Sequence, residues 1–224
     1  MFKIILAWGL YFIKNLLFIF NSFKNFYFYR VHRNVKFVGA RGLTVGKNSL
    51  IGDSSWININ DPSQGTLTIG NNCTIGMSNF ITVGGNITIG DYFLSGINCA
   101  IISSSHVIEN PSIPYLKTGT TSQNEINIGD NVFFGYGVSI VGNINIGNGS
   151  VIGACAVVTK SIPAYSIAIG NPARVVKKYS FMKKKWLSVD DYNEELETIY
   201  GVNITLDKDF YQPIAALRKN KNVY

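Results

Sequence analysis

The sequence predicts an all-β fold, a parallel β-helix wound from short strands, on three observations. Aliphatic-Gly pairs recur with a period of six residues, Gly and Asn recur between them, and only 15% of the 224 residues are charged against 46% hydrophobic. A period of six matches neither the spacing of an α-helix nor the strict alternation of a hairpin series. It suits parallel strands joined by tight turns, with an apolar residue of each strand turned inward and each coil bonded to the next. Low charge with ample apolar surface excludes a disordered chain, and no Gly-X-Y period marks a collagen.

The ladder opens at Val45-Gly46 and Ile51-Gly52 and continues at Ile57. Ile69-Gly70, Ile75-Gly76 and Ile81 resume it in phase, with Ser63 at the one missing step. The phase then slips by two, through Val83-Gly84, Ile89-Gly90, Ser95-Gly96, Ile101 and Val107. The cleanest run is Ile128-Gly129, Phe134-Gly135, Ile140, Ile146-Gly147, Ile152-Gly153 and Val158. Two residues before these steps stand Ile126, Val132, Val138, Ile144, Ser150 and Ala156, again apolar or small. Between strands lie Gly129-Asp130-Asn131 and Gly147-Asn148-Gly149, residue types that tolerate a left-handed backbone.

The ladder breaks at 107–127. The segment holds Glu109-Asn110-Pro111 and Ile113-Pro114-Tyr115, and proline cannot donate to a strand ladder. A loop thrown out from the helix is expected, and long loops on rigid scaffolds carry function. The β-helix domain is accordingly expected over 31–178.

The two ends differ from the middle. Residues 1–52 hold eight Lys or Arg and no acid. A second basic cluster is Arg174, Lys177, Lys178, Lys183, Lys184 and Lys185. The net charge of +7 therefore sits at the ends of a nearly neutral chain. A nucleic-acid binder carries its basic stripe on the folded domain itself, so no nucleic-acid partner is expected. Residues 1–30 are rich in Phe, Ile, Leu and Tyr, and helical spacing puts Lys3, Lys14, Asn21 and Asn25 on one stripe. The longest apolar run, Ile4 to Ile13, is short of the about 20 residues that span a bilayer. The segment predicts a hydrophobic helix lying in a membrane interface, or one packed on the protein's own β-helix. Residues 179–224 leave the repeat, and Asp190 to Tyr200 predicts a short acidic helix that covers the sheet edge at the end of the coil. Cys73, Cys99 and Cys155 have no metal-ligand spacing and read as free thiols of a reducing cytosol.

The hexapeptide steps, the loop after Ser103-Ser104-Ser105-His106, and the stretch from Ile152-Gly153-Ala154 through Val157-Val158-Thr159-Lys160-Ser161-Ile162-Pro163 to Gly170-Asn171-Pro172-Ala173-Arg174-Val175-Val176-Lys177 resemble the hexapeptide-repeat acyltransferases. The likeness is to the branch of galactoside, maltose and surface-polysaccharide O-acetyltransferases, over about residues 40–178. It implies a left-handed β-helix, a homotrimer, acetyl-CoA bound between neighbouring subunits, a carbohydrate acceptor and no metal. It also implies a cytoplasmic protein, and the N-terminal segment would hold it at the inner face of the membrane.

Through that resemblance His106 is the general base, a role suited to the one side chain that titrates near neutral pH. The alternative is a buried structural histidine. The resemblance puts CoA contacts at Tyr136, Ala154, Thr159, Lys160, Arg174 and Lys177, the last two as partners for phosphate. Tyr136 departs from the small residue usual at its position. Phe133 falls near the acetyl group, and Asn79, in Ser78-Asn79-Phe80, matches an acceptor-holding Asn or is a turn residue. A γ-class carbonic anhydrase needs three zinc-bound His, and this chain has two in all. Serine O-acetyltransferase is disfavoured by the missing polar helical N-terminal domain. Transfer to the hydroxyl of a surface polysaccharide is the leading expectation. N-acetylation of a nucleotide-linked amino sugar and a non-catalytic β-helix module are the alternatives.

Overall fold

The computed structural model describes residues 29–199, apart from 33, 60, 122 and 123. The predicted N-terminal helix lies outside the described residues except at its last two positions, where Tyr29–Val31 is already a strand. The chain winds through three sheets in turn, a parallel β-solenoid. The first sheet stacks Tyr29–Val31, Ser49–Ile51, Thr74–Ile75, Leu94–Ser95, Phe133–Phe134, Val151–Ile152 and Ser166–Ile169. The second stacks Lys36–Val38, Trp56–Ile59, Phe80–Val83, Ala100–Ile102, Ser139–Val141 and Val157–Val158. The third stacks Leu43–Val45, Leu67–Ile69, Ile87–Ile89, Ile126–Ile128 and Ile144–Ile146.

The repeat works as expected on the inside. Register pairs Leu43 with Leu67, Leu67 with Ile87, Ile87 with Ile126 and Ile126 with Ile144, so one aliphatic column runs along the third sheet. Ile57, Ile81, Ile101, Ile140 and Val158 form the matching buried column of the second. Burying each such side chain stabilises the coil by about 1.5–3 kcal/mol. Inside the coil, Phe93, just before the strand Leu94–Ser95, and Phe134 meet edge to face at 4.9 Å.

Successive coils advance by 24, 20, 39 and 18 residues at the corner from the third sheet to the first. That explains the phase. The missing step at Ser63 is a turn in which Gln64 N–H bonds Asp61 O. The slip of two comes from the strand Phe80–Val83, in which Ile81 and Val83 both point inward. Val107 fits the period but has left the coil: the chain turns out after Ile102, and His106 already bridges antiparallel to Thr120.

Asn131 and Gly149 take the left-handed backbone expected between strands, whereas the step glycines Gly129 and Gly147 do not. The left-handed residues are Asn48, Asn72, Tyr92, Asn131 and Gly149 at one corner and Ser54, Ser78, Asn98, Gly137 and Cys155 at the next. Gly135, by contrast, is needed for close approach: a Cβ there would lie 2.7 Å from the backbone nitrogen of Ala154 one coil on. The residue after such a glycine joins the coils by its side chain. Lys47, Asn71, Asp91 and Asp130 each donate N–H to the side-chain oxygen of the next, Asn71, Asp91, Asp130 and Asn148, at 2.7–2.9 Å.

Beyond Ser166–Ile169 the first sheet changes direction. Arg174–Ser180 pairs antiparallel with it, and Lys185–Ser188 pairs antiparallel with Arg174–Ser180. The acidic helix, Glu194–Ile199, begins later than predicted, because Asn193 caps its start by accepting Leu196 N–H at 3.1 Å.

Candidate active site

His106 stands at the root of the loop, and the root is tied at each residue before it. Ser103 is fully buried; its Oγ accepts Gly84 N–H at 3.0 Å and donates to Gly85 O at 3.1 Å. Ser104 Oγ lies 3.2 Å from Thr82 Oγ1. Ser105 O accepts Thr121 N–H at 2.7 Å, and Ser105 N–H donates to Thr121 Oγ1 at 3.1 Å. Val107 N–H then reaches Gly119 O at 3.2 Å.

The imidazole is exposed, so His106 is not a buried structural histidine. Its Nδ1 lies 3.1 Å from Gly119 O. A carbonyl only accepts, so this bond assigns the proton to Nδ1 and leaves Nε2 with its lone pair. Gly119 has φ +78°, and its carbonyl faces the loop root, where Val107 N–H and His106 Nδ1 both meet it. No sequence signal pointed to Gly119. Beyond it the loop exposes Ile108, Ile113, Tyr115 and Leu116, the last to 92%.

The expected CoA residues gather round one strand, Val157–Val158. Ala154 precedes it on an exposed turn, and Thr159 and Lys160 follow it, also exposed. The segment before Arg174 crosses beside it, with Val157 N–H bonded to Gly170 O at 3.0 Å and Ala173 N–H to Val157 O at 2.8 Å. Tyr136 sits one coil above Ala154, where Cys155 N–H donates to its carbonyl at 2.7 Å. Its ring is 51% exposed and its hydroxyl accepts Asn98 Nδ2–H at 3.2 Å. Arg174 Nη1 donates to Ala173 O at 2.8 Å. Lys177 pairs in register with Ile167, at the end of the outward column Leu94, Phe133, Val151 and Ile167. Phe133 is 41% exposed in that column.

Asn79 stands apart from these residues. It is 3% exposed at an inward corner, where its Nδ2 donates to Ser95 Oγ at 2.7 Å and its Oδ1 accepts Cys99 N–H. Its amide joins coils, and the likeness of Ser78-Asn79-Phe80 to an acceptor motif is not matched by a surface position. Cys73 is buried and its thiol is pushed up to about 11 by burial; burial raises Cys99 likewise.

Sequence reading also missed how differently the outer faces are built. The outward column of the third sheet is Thr44, Thr68, Thr88, Asn127 and Asn145. The first sheet exposes Leu94 and Phe133, and the second Trp56, with Val157 partly exposed. The signal was present: the residue between the two aliphatic residues is polar in every third-sheet strand.

No family model matches the chain. A probable acetyltransferase of Mycobacterium tuberculosis is 35% identical over 135 residues, 60% of this chain and 44% of that protein. A putative acetyltransferase of Staphylococcus aureus is 40% identical over 110 residues, 49% of this chain and 54% of that protein. The chain thus spans about half the length of the curated relatives it matches. Among solved structures, a mutant of an N-acyltransferase from Bacillus cereus, in complex with dTDP and coenzyme A, shares the fold with a TM-score of 0.58 at 20% identity, over 70% of this chain and 88% of that one. Fold and repeat define the class, a hexapeptide-repeat β-solenoid. The curated relatives it matches are named as a probable and a putative acetyltransferase.

Proposed function

We propose that this protein is an acetyl-CoA-dependent O-acetyltransferase acting on a sugar hydroxyl of a bacterial surface polysaccharide or its precursor. The observation that carries the reading is His106: exposed, rooted in a tied loop, with Nδ1–H held by Gly119 O and Nε2 free to accept a proton. In the proposed reaction Nε2 takes the proton of the acceptor hydroxyl as its oxygen attacks the thioester carbonyl. The tetrahedral intermediate collapses, the C–S bond breaks, and the CoA thiolate takes the proton back from the imidazolium. Ala154 and Tyr136 would border the pantetheine arm, Phe133 the acetyl group, and Thr159, Lys160, Arg174 and Lys177 the phosphates.

A homotrimer of left-handed coils fits the outer faces, because a solvated sheet carries Thr and Asn while the other two expose Leu94, Phe133 and Trp56. On this reading residues 1–30 bring the enzyme to the inner face of the cytoplasmic membrane and to a lipid-linked glycan. Among the described residues no helix is long and apolar enough to cross a membrane.

The test is thiol release from acetyl-CoA across a panel of oligosaccharide and amino-sugar acceptors, with His106→Ala as control. Release with hydroxyl acceptors that vanishes in the variant supports the reading. Release only with amino sugars replaces it by N-acetylation, and no release with any acceptor leaves a non-catalytic module.

A further inference from the structure

Of the six cations in the C-terminal cluster, the fold treats Lys178 differently from Arg174 and Lys177. Register pairs Lys178 with Ser166, which points into the coil, and pairs Lys177 with Ile167 and Arg174 with Ile169, which point out. Strand alternation then turns Lys178 and Ser180 to the inner side and Lys177 to the outer. Among the described residues no further coil lies below this strand, and the C-terminal helix meets its inner side. Glu194 Oε1 reaches Lys178 Nζ at 3.4 Å, and Tyr192 lies under the same ammonium at 5.0 Å. Glu197 is buried, and its carboxylate accepts Ser180 Oγ–H, Phe181 N–H at 2.9 Å and Met182 N–H at 3.4 Å. Ser180 Oγ in turn accepts Lys183 N–H at 3.0 Å, which closes the turn.

We propose that Glu197 is a positioning residue for the cofactor's phosphates: by latching the C-terminal helix to the inner side of Arg174–Ser180, it holds Arg174 and Lys177 outward in a fixed array. This rests on the CoA reading above. Arg174–Ser180 is the last strand but one of its sheet, and only its residues 177–180 pair with the edge strand Lys185–Ser188. A register shift interrupts its pairing with Ser166–Ile169, so fixing its direction calls for further contacts. The latch supplies them from the face that phosphate does not use. A mere end cap would need only burial; a charged carboxylate taking three donors within one turn fixes the strand's direction as well.

The test measures affinity of the full chain for CoA and for 3′-dephospho-CoA, with Glu197→Gln, which keeps shape and loses charge and one acceptor. The wild type should prefer CoA. The variant should bind CoA about tenfold more weakly while its affinity for dephospho-CoA changes little, as loss of an aligned charge-assisted contact predicts. Acetyl transfer should show a raised KM for acetyl-CoA with kcat kept. If the variant does not fold, Ser180→Ala, which removes one donor, should shift CoA affinity in the same direction. A variant that melts lower but binds CoA as the wild type does overturns the proposal and leaves the helix a cap. Wild type with no affinity for either ligand overturns the CoA reading and the latch together, and the two failures are thereby told apart.

Discussion

Replacing Gly119 by Ala tests whether a backbone carbonyl sets the chemistry of His106. Gly119 has φ +78° and an added Cβ would meet nothing within 4 Å, so the substitution introduces backbone strain without a clash. For an L-residue that conformation costs about 1–2 kcal/mol. Relaxing it rotates the peptide whose oxygen holds Nδ1–H at 3.1 Å, so the strain moves directly into the balance between held and released imidazole. If the released state becomes favoured, the competent fraction falls by about five- to thirtyfold. His106→Ala should cost more, about 10²–10⁴-fold, because the base itself is gone. The assay is kcat/KM with the acceptor found in the panel, alongside a thermal melt. Gly119 lies on the loop, outside the coil ladder, so melting should shift by no more than the few degrees that about 1 kcal/mol represents. Undiminished kcat/KM in Gly119→Ala, with His106→Ala inactive, would refute the positioning of His106 by this carbonyl.

Native alkylation at pH 8 should modify Cys155 alone, since Cys73 and Cys99 are buried with thiols pushed up, and denaturant should expose all three; mass spectrometry of labelled peptides checks this. The Glu197 carboxyl is held below its ordinary 4.5 by its bond from Ser180, and further by those from Phe181 and Met182 and by Lys183. Its stabilisation is therefore complete above that value and lost as pH falls below it, and Glu197→Gln should flatten the acid limb of a melting curve taken against pH. Leu94→Asp puts a charge into the outward apolar column of the first sheet; if the proposed trimer packs that face, light scattering should show trimers for the parent and single chains for the variant.

The coils were legible because each Ile-Gly step carries two requirements at once. The isoleucine must fill the axis, and the glycine must leave room for the next coil's backbone, as Gly135 does against Ala154. Two such constraints per six residues leave a strong pattern. Corners left a weaker one. Ser55, Asn79 and Cys99 point inward at one corner beside Val138 and Ala156, and a polar residue satisfied by neighbouring carbonyls looks like a surface residue in sequence. Val107 fitted the period by its type, yet prolines at 111 and 114 already draw the chain away. Lys178 was grouped with Arg174 and Lys177 because composition records charge, whereas only strand register records which side it faces. The Gly119 carbonyl belongs to tertiary geometry and has no local signature.

The positions of the two halves of the proposed site bear on how it is completed. His106 stems from the end of the second sheet, after Ala100–Ile102, while Tyr136 and Ala154 sit where that sheet begins, before Ser139–Val141 and Val157–Val158. A three-residue strand advances about 10 Å, so the root of the base and the corner for the pantetheine arm stand roughly that far apart across one face. Acyl transfer needs reacting atoms within about 3–3.5 Å. A neighbouring subunit that lays its own corner against the His106 loop would close the distance without bending the loop over its own sheet. Mixing two inactive variants decides between the two arrangements. His106→Ala chains keep the corner and Ala154→Trp chains keep the base. Refolded together in equal amounts as trimers, about a quarter of the interfaces would pair an intact base with an intact corner, and about a quarter of parental activity should return. If each site lies within one chain, no mixture regains activity.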